Sequence, residues 1–150
     1  MSCLTEEHYV EEIIGDGLLG FLRDDPVRPL IPLTVRIADN KSAYVLFNDQ
    51  DCCVDAVVCV AFTDKVLTKE VEIYEDCTKP NIAMFYTVWS YKSGAGRKII
   101  LQVRDLILKE KPEIKRFITL SPKTTMARKF HLRNGAFELQ VNKETVNFEY

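Results

Sequence analysis

The stretch IAMFYTVWSYKSGAGRKIILQVRDLIL, Ile82 to Leu108, decides how this chain is read. Ile82 to Trp89 is an apolar run that predicts a strand ending at Ser90. A glycine turn, Tyr91-Lys92-Ser93-Gly94-Ala95-Gly96, follows it. An amphipathic helix then begins near Arg97 and runs to Lys111, where Pro112 stops it. Its apolar stripe is Ile100, Val103, Leu106 and Ile107. Strand, glycine turn and helix form a phosphate-binding arrangement. Glycines let an anion approach the backbone. The first amides of a helix lack internal partners and carry the positive end of its dipole. Arg97 and Lys98 stand where that dipole disfavours cations, which makes sense if an anion sits opposite.

Charge is segregated in the same sense. Residues 91–133 hold 12 Lys and Arg against 3 Asp and Glu, whereas residues 1–90 hold 7 against 16. The whole chain is nearly neutral, at -2. This distribution predicts a polyanionic partner on one side of the molecule, for which a nucleotide cofactor suffices. The acidic first half argues against a nucleic-acid surface.

At 150 residues, with 47% hydrophobic and 28% charged residues, the sequence predicts one globular domain over 1–150. No apolar run approaches the roughly 20 residues of a membrane span. The first residues, Met1 to Glu7, show neither a basic n-region nor an apolar h-region, so no secretory signal is read there. The five cysteines include no Cys-x-x-Cys pair and predict neither a disulfide framework nor a metal site. Cys59 reads as a buried small hydrophobe. A reducing cytoplasm is the expected compartment.

Along the chain, Thr5 reads as an N-cap with Glu6 and Glu7 in the first turn. Tyr9, Val10, Ile13 and Ile14 follow helical spacing and predict a first helix carrying His8 on its surface. Gly15, Gly17 and Gly20 weaken the continuation and predict a break or a second short helix near Leu18 to Phe21. Pro26, Pro29 and Pro32 mark a connector. Ser42–Phe47 and Cys53–Phe62 read as a hairpin around Asn48 to Asp51, with the second strand central. Thr63 to Pro80 reads as a short exposed strand or an irregular excursion. Phe117 to Leu120 predicts a strand parallel to Ile82–Trp89 through a right-handed crossover. A helix from about Thr124 to Asn134, capped by Thr124 or Thr125 and ended by Gly135, leads into a hairpin of Phe137–Val141 and Thr145–Phe148.

This order resembles the Gcn5-related N-acyltransferase (GNAT) superfamily. Two motifs carry the likeness. Gly94 and Gly96 match the Gln/Arg-x-x-Gly-x-Gly/Ala pyrophosphate loop, with Tyr91 standing in the Gln/Arg position. Ala127-Arg128-Lys129-Phe130-His131, followed by Gly135-Ala136-Phe137, matches the Ala-x-x-Phe-Tyr helix, with His131 in place of the tyrosine. A narrower similarity links Val60 to Asp64, Phe85 to Val88 and Phe117 to Pro122 to the malonyl-CoA decarboxylase catalytic domain. That likeness stops after Pro122.

The resemblance implies an α+β, GNAT-like fold with a mixed central sheet flanked by helices. It implies acetyl-CoA or another acyl-CoA as co-substrate, an amine acceptor, and no membrane partner; a homodimer stays open. Pantetheine would lie along Phe85, Tyr86, Thr87, Val88 and Trp89. The pyrophosphate would rest on Lys92, Ser93, Gly94, Ala95, Gly96, Arg97 and Lys98. Lys123, Arg128 and Lys129 would face the phosphoadenosine end.

Acyl transfer needs a base for the amine proton and an acid for the leaving thiolate. His131, whose imidazole titrates near neutrality, is the first candidate. Ser121 at the strand end and Tyr86 follow, and Glu70, Glu72 and Glu75 are the acidic candidates for a base. The alternatives to N-acyl transfer are decarboxylation of malonyl-CoA on the same scaffold and a non-catalytic CoA-binding module.

Overall fold

In the computed structural model, which describes residues 8–50 and 52–150, one mixed sheet organises the chain. Strands β1 (His8–Glu12), β2 (Lys41–Asn48), β3 (Cys53–Thr63) and β4 (Ile82–Ser90) run as antiparallel neighbours. β4 pairs in parallel with β5 (Arg116–Thr119). Beyond β5 lies β8 (Thr145–Glu149), flanked by β6 (Ser121–Pro122) and by its hairpin partner β7 (Phe137–Val141). β3 is apolar almost throughout because it is central and covered on both faces, as its composition predicts.

One face of the sheet buries Val45, Val57, Cys59, Met84 and Tyr86. It is covered by Ile13, by Leu22 of the 3-10 segment Gly20–Asp24, by Ile31, and by Ile73 of a second 3-10 segment, Glu70–Tyr74. The short helices α1 (Asp16–Leu19) and α2 (Leu33–Arg36) bracket this cover. The opposite face buries Val58, Val60, Ala83 and Phe85 under α3 (Ala95–Glu110). α3 inserts Ile99, Ile100, Val103 and Ile107, so the predicted stripe gains Ile99, and Leu106 lies only partly buried at its edge. Helix α4 (Thr125–Arg133) is capped by the Thr124 side chain, which accepts the Ala127 N–H.

The first predicted element is overturned. His8–Glu12 is an edge strand, not a helix; the expected Thr5 cap lies outside the described residues. The spacing of Tyr9, Val10, Ile13 and Ile14 suits a helix locally. The open edge of β2 offers a full ladder instead, and pairing from His8↔Asn48 to Glu12↔Tyr44 satisfies the backbone. His8 is consequently not a surface group. Its Nε2 lies 3.0 Å from Asp55 Oδ2 at a site where both side chains are 5% exposed. Asp55 is itself the extra residue of a bulge in β3, since Leu46 faces Ala56 and Phe47 faces Val54.

Candidate active site

β4 carries a second bulge. Cys59 faces Thr87 and Val60 faces Phe85, which leaves Tyr86 without a partner in β3. The bulge coincides with the point where β4 and β5 part. Their parallel pairing ends at Phe85↔Thr119, and the last bond across is Leu120 N–H to Phe85 O at 3.0 Å. Past it, the β4 edge that faced β5 has no strand partner among the described residues. The resulting wedge opens into a cleft of about 540 Å³.

The cleft brings together much of what the sequence points to. Phe85, Tyr86, Thr87, Val88 and Trp89 line one wall, Ser121 the end of the next strand, Gly96 the start of α3, and Phe130 and His131 a side of α4. Lys92, Ser93, Gly94, Ala95, Arg97 and Lys98 stand outside that lining, on the turn and first helical turn beyond β4.

Gly94 has φ +81°, the left-handed conformation, and caps α3. The Ala95 N–H is taken by Lys92 O at 3.2 Å, whereas Gly96 and Arg97 donate to no carbonyl among the described residues. Gly96 matters for a different reason. A Cβ there would sit 3.1 Å from the Phe130 ring, which would have to give by a few tenths of an ångström to keep α3 this close to α4. Nothing lies within 4 Å of a Cβ at Gly94, so Gly94→Ala carries only the backbone penalty. It should cost about 1–2 kcal/mol, read as a shift in the urea midpoint.

Several expected charges have partners of their own. Lys98 Nζ lies 3.1 Å from His8 Nδ1. Lys123 Nζ donates to Lys143 O at 3.1 Å, and Arg128 pairs with Glu138. Glu72 accepts the N–H groups of Thr68 and Lys69 and pairs with Lys65, as does Glu75. Glu70, the third acidic candidate, lines a neighbouring cavity rather than the cleft. Tyr91, in the loop position of the family's Gln/Arg, accepts from Trp89 Nε1 at 3.0 Å and donates to Asp24 Oδ2 at 2.8 Å. It fastens the end of β4 to the segment that covers the sheet.

Of the proton-transfer candidates, His131 is the best placed. Its Nδ1 is 2.7 Å from Tyr150 Oη, which also accepts from Asn134 Nδ2 at 3.2 Å. Its ring stacks on Phe148, with centroids 5.0 Å apart. No described residue bonds its Nε2. Burial pushes its pKa down from 6.5 to about 4, so the imidazole is neutral near pH 7. An unfolded chain therefore protonates this histidine before the native one does. Its contribution leaves stability flat above about pH 6.5 and lowers it as pH falls to about 4, by about 3 kcal/mol in all. Urea titrations across pH 4–7 should show this slope, and His131→Gln should lack it.

Ser121 is buried and donates to Thr119 Oγ1 at 2.8 Å; that oxygen also accepts the Phe148 N–H. The hydroxyl of Tyr86 lies in the core cluster with Cys59, where burial raises its pKa well above the usual range. Tyr86 gives the wedge its carbonyl rather than its hydroxyl. Cys59 beside it is pushed up to about 11 by burial and stays a thiol.

The residue that sequence reading missed is Arg28. Its guanidinium fills the apex of the wedge. Nη1 donates to Tyr86 O, and Nη2 donates to Leu120 O at 2.8 Å, so one side chain spans both diverging strands. It arrives on a strap, residues 24–37, tied by a buried pair: Arg36 Nη1 to Asp25 Oδ2 at 2.7 Å. Asp25 Oδ1 accepts the N–H groups of Val27 and Arg28, and Arg36 Nη2 donates to Arg28 O. The available signal was Asp25 just before the three prolines, Arg28 among them and Arg36 just after, in a connector otherwise apolar enough to be buried.

A sheet with parallel neighbours that splay beside a bulge, followed by a glycine-capped helix, has counterparts among solved structures. The chain has the GNAT fold. It aligns with Tetrahymena GCN5 at TM-score 0.63 and 14% identity, over 94% of each chain. It aligns with malonyl-CoA decarboxylase from Cupriavidus metallidurans at TM-score 0.75 and 16% identity, over 95% of this chain and 60% of that one. This chain therefore spans less than two thirds of that decarboxylase. A Bacillus subtilis acetyltransferase in complex with CoA matches at TM-score 0.61 and 10% identity, over 97% of each. The sequence matches no family model and no curated protein. At these identities the GNAT likeness is one of fold. No described helix is long and apolar enough to cross a membrane, and no described cluster of His, Cys, Asp and Glu could hold a metal.

Proposed function

We propose that the protein transfers an acyl group, acetyl in the simplest case, from CoA to an amine by direct attack. The observation that carries this reading is the β4 edge from Thr87 to Ser90, which has no strand partner among the described residues and leads to the Gly96 and Arg97 amides, which no described carbonyl caps. Pantetheine has amides that can pair with such an edge, as an added strand does. A diphosphate suits helix amides without internal partners. CoA held by the Bacillus subtilis neighbour supports the same ligand class.

In this reading the amine nitrogen attacks the thioester carbon. Neutral His131 takes the amine proton at Nε2 as the C–N bond forms. It returns that proton to sulfur as the C–S bond breaks, so no net charge is left on the ring. Tyr150 holds Nδ1 and fixes the ring's orientation. Ser121, already donating to Thr119, has no step in this scheme.

Calorimetry with acetyl-CoA, followed by thiol release across an amine panel, tests the proposal. Binding with amine-dependent release supports transfer. Binding without release leaves a CoA-binding module, and no binding at millimolar ligand ends the proposal. The decarboxylase neighbours, and a cleft that Ser121 and His131 both line, favour one second reading. It predicts carbon dioxide release from malonyl-CoA with no amine present.

A further inference from the structure

A second cavity, of about 760 Å³, lies between the excursion Thr63–Pro80 and the loop joining β7 to β8. It shares Val27, Arg28 and Pro122 with the CoA cleft, so Arg28 stands at the junction of the two. Formal charges around Arg28 are unequally matched. Asp25 belongs to Arg36, with side chains 0% and 1% exposed, and that pair is neutral by itself. Arg28 contacts two neutral carbonyls and the Thr87 hydroxyl. Its counter-ion is Glu70, whose Oε1 is 3.0 Å from Nε. The guanidinium side chain is 5% exposed, whereas the Glu70 side chain is 56% exposed.

Resting on Glu70 as the counter-ion of Arg28 and on the acyl-transfer reading above, we propose that the second cavity admits the acceptor, that the acceptor is an amine bearing a carboxylate, and that this carboxylate replaces Glu70 on Arg28. The exchange swaps one carboxylate for another beside the same guanidinium, so the buried cation is never left uncompensated, the state that makes broken buried pairs costly. Arg28 Nε is buried and has no hydrogen-bond partner among the described residues, although Glu70 lies 3.0 Å away, so it can gain an acceptor in the exchange. Glu70 regains water as it leaves. A planar guanidinium suits carboxylate recognition. Lys69 and Lys143 at the cavity wall, against Glu144, tilt the remaining field toward anions. An amide isostere of the acceptor cannot replace the charge.

The test compares glycine, β-alanine and 4-aminobutyrate with their primary amides. Binding is measured by calorimetry on the CoA-saturated protein, and thiol release from acetyl-CoA is followed separately. At least one acid should bind ten-fold or more tighter than its amide. Arg28→Gln should erase that preference. Glu70→Gln, at an exposed position that should fold normally, should tighten acid binding several-fold and leave amide binding unchanged. Equal binding of acids and amides, or a preference that survives Arg28→Gln in a folded variant, overturns the proposal. So does Glu70→Gln with no effect on acids. Thiol release with acids and amides alike would keep acyl transfer and discard this inference. Selective acid binding with no thiol release would keep the carboxylate site and discard the transfer.

Discussion

Arg36→Met should lower the unfolding free energy by about 3–5 kcal/mol, the usual cost of breaking a buried ion pair from one side. Asp25 would lose its ion-pair partner and stay buried with two backbone N–H donors. Ile31 O and Arg28 O would each lose a guanidinium donor. Domains of this size have only about 5–15 kcal/mol of stability, so the change is a large share of the total. Urea unfolding followed by the single tryptophan, Trp89, reads it directly, because that residue lines the cleft the strap closes. A double variant, Asp25→Leu with Arg36→Met, should recover part of the loss. It removes both charges together, leaving unpaired amides but no unpaired ion. A loss under 1 kcal/mol in the single variant would show that the strap does not depend on this pair.

The second large effect concerns the reaction. His131→Gln should reduce kcat for amine acylation by about 10²–10⁴-fold, the range of a lost proton-transfer group, with acetyl-CoA affinity within about two-fold of the wild type. Among the described residues no hydrogen bond or ring contact joins His131 to the Gly94–Arg97 turn, so binding and chemistry should separate. Tyr150→Phe should give a smaller loss, because the imidazole remains and only its anchor is removed. Glutamine also fills the space between Phe130 and Phe148, which limits collapse. Unchanged turnover in a folded His131→Gln protein would exclude proton transfer through this residue. Equal losses in both variants would mean that ring orientation, not mere presence, limits the rate.

Local chemistry made the core of the fold readable. The apolar run Ile82–Trp89, the glycine at position 94 with φ +81°, and the 3.6-residue stripe of α3 are all short-range features, and each forms where its residues predict. The hairpin of β2 and β3 followed from the apolar run Cys53–Phe62 and the turn at Asn48 to Asp51, and the parallel strand after α3 from the right-handed crossover that the helix makes. The placement of His131 at the cleft came through the resemblance of its helix to a known motif. Its neutrality did not, since that depends on the ring's burial against Phe148 and Tyr150.

Sequence alone determined the strand Ile82–Trp89, the glycine turn and the amphipathic helix after it, because periodicity and backbone permissiveness are properties of neighbouring residues. The mixed sheet as a whole came through the family resemblance. Tertiary structure decided the rest. His8–Glu12 became a strand because β2 had an open edge to fill. Arg28 became the apex of the wedge because residues 58 and 92 positions away present carbonyls to it. A cation in a connector gives no local sign of its destination. Only the diverging strands, with carbonyls that cannot bond each other, create the vacancy that a guanidinium fills.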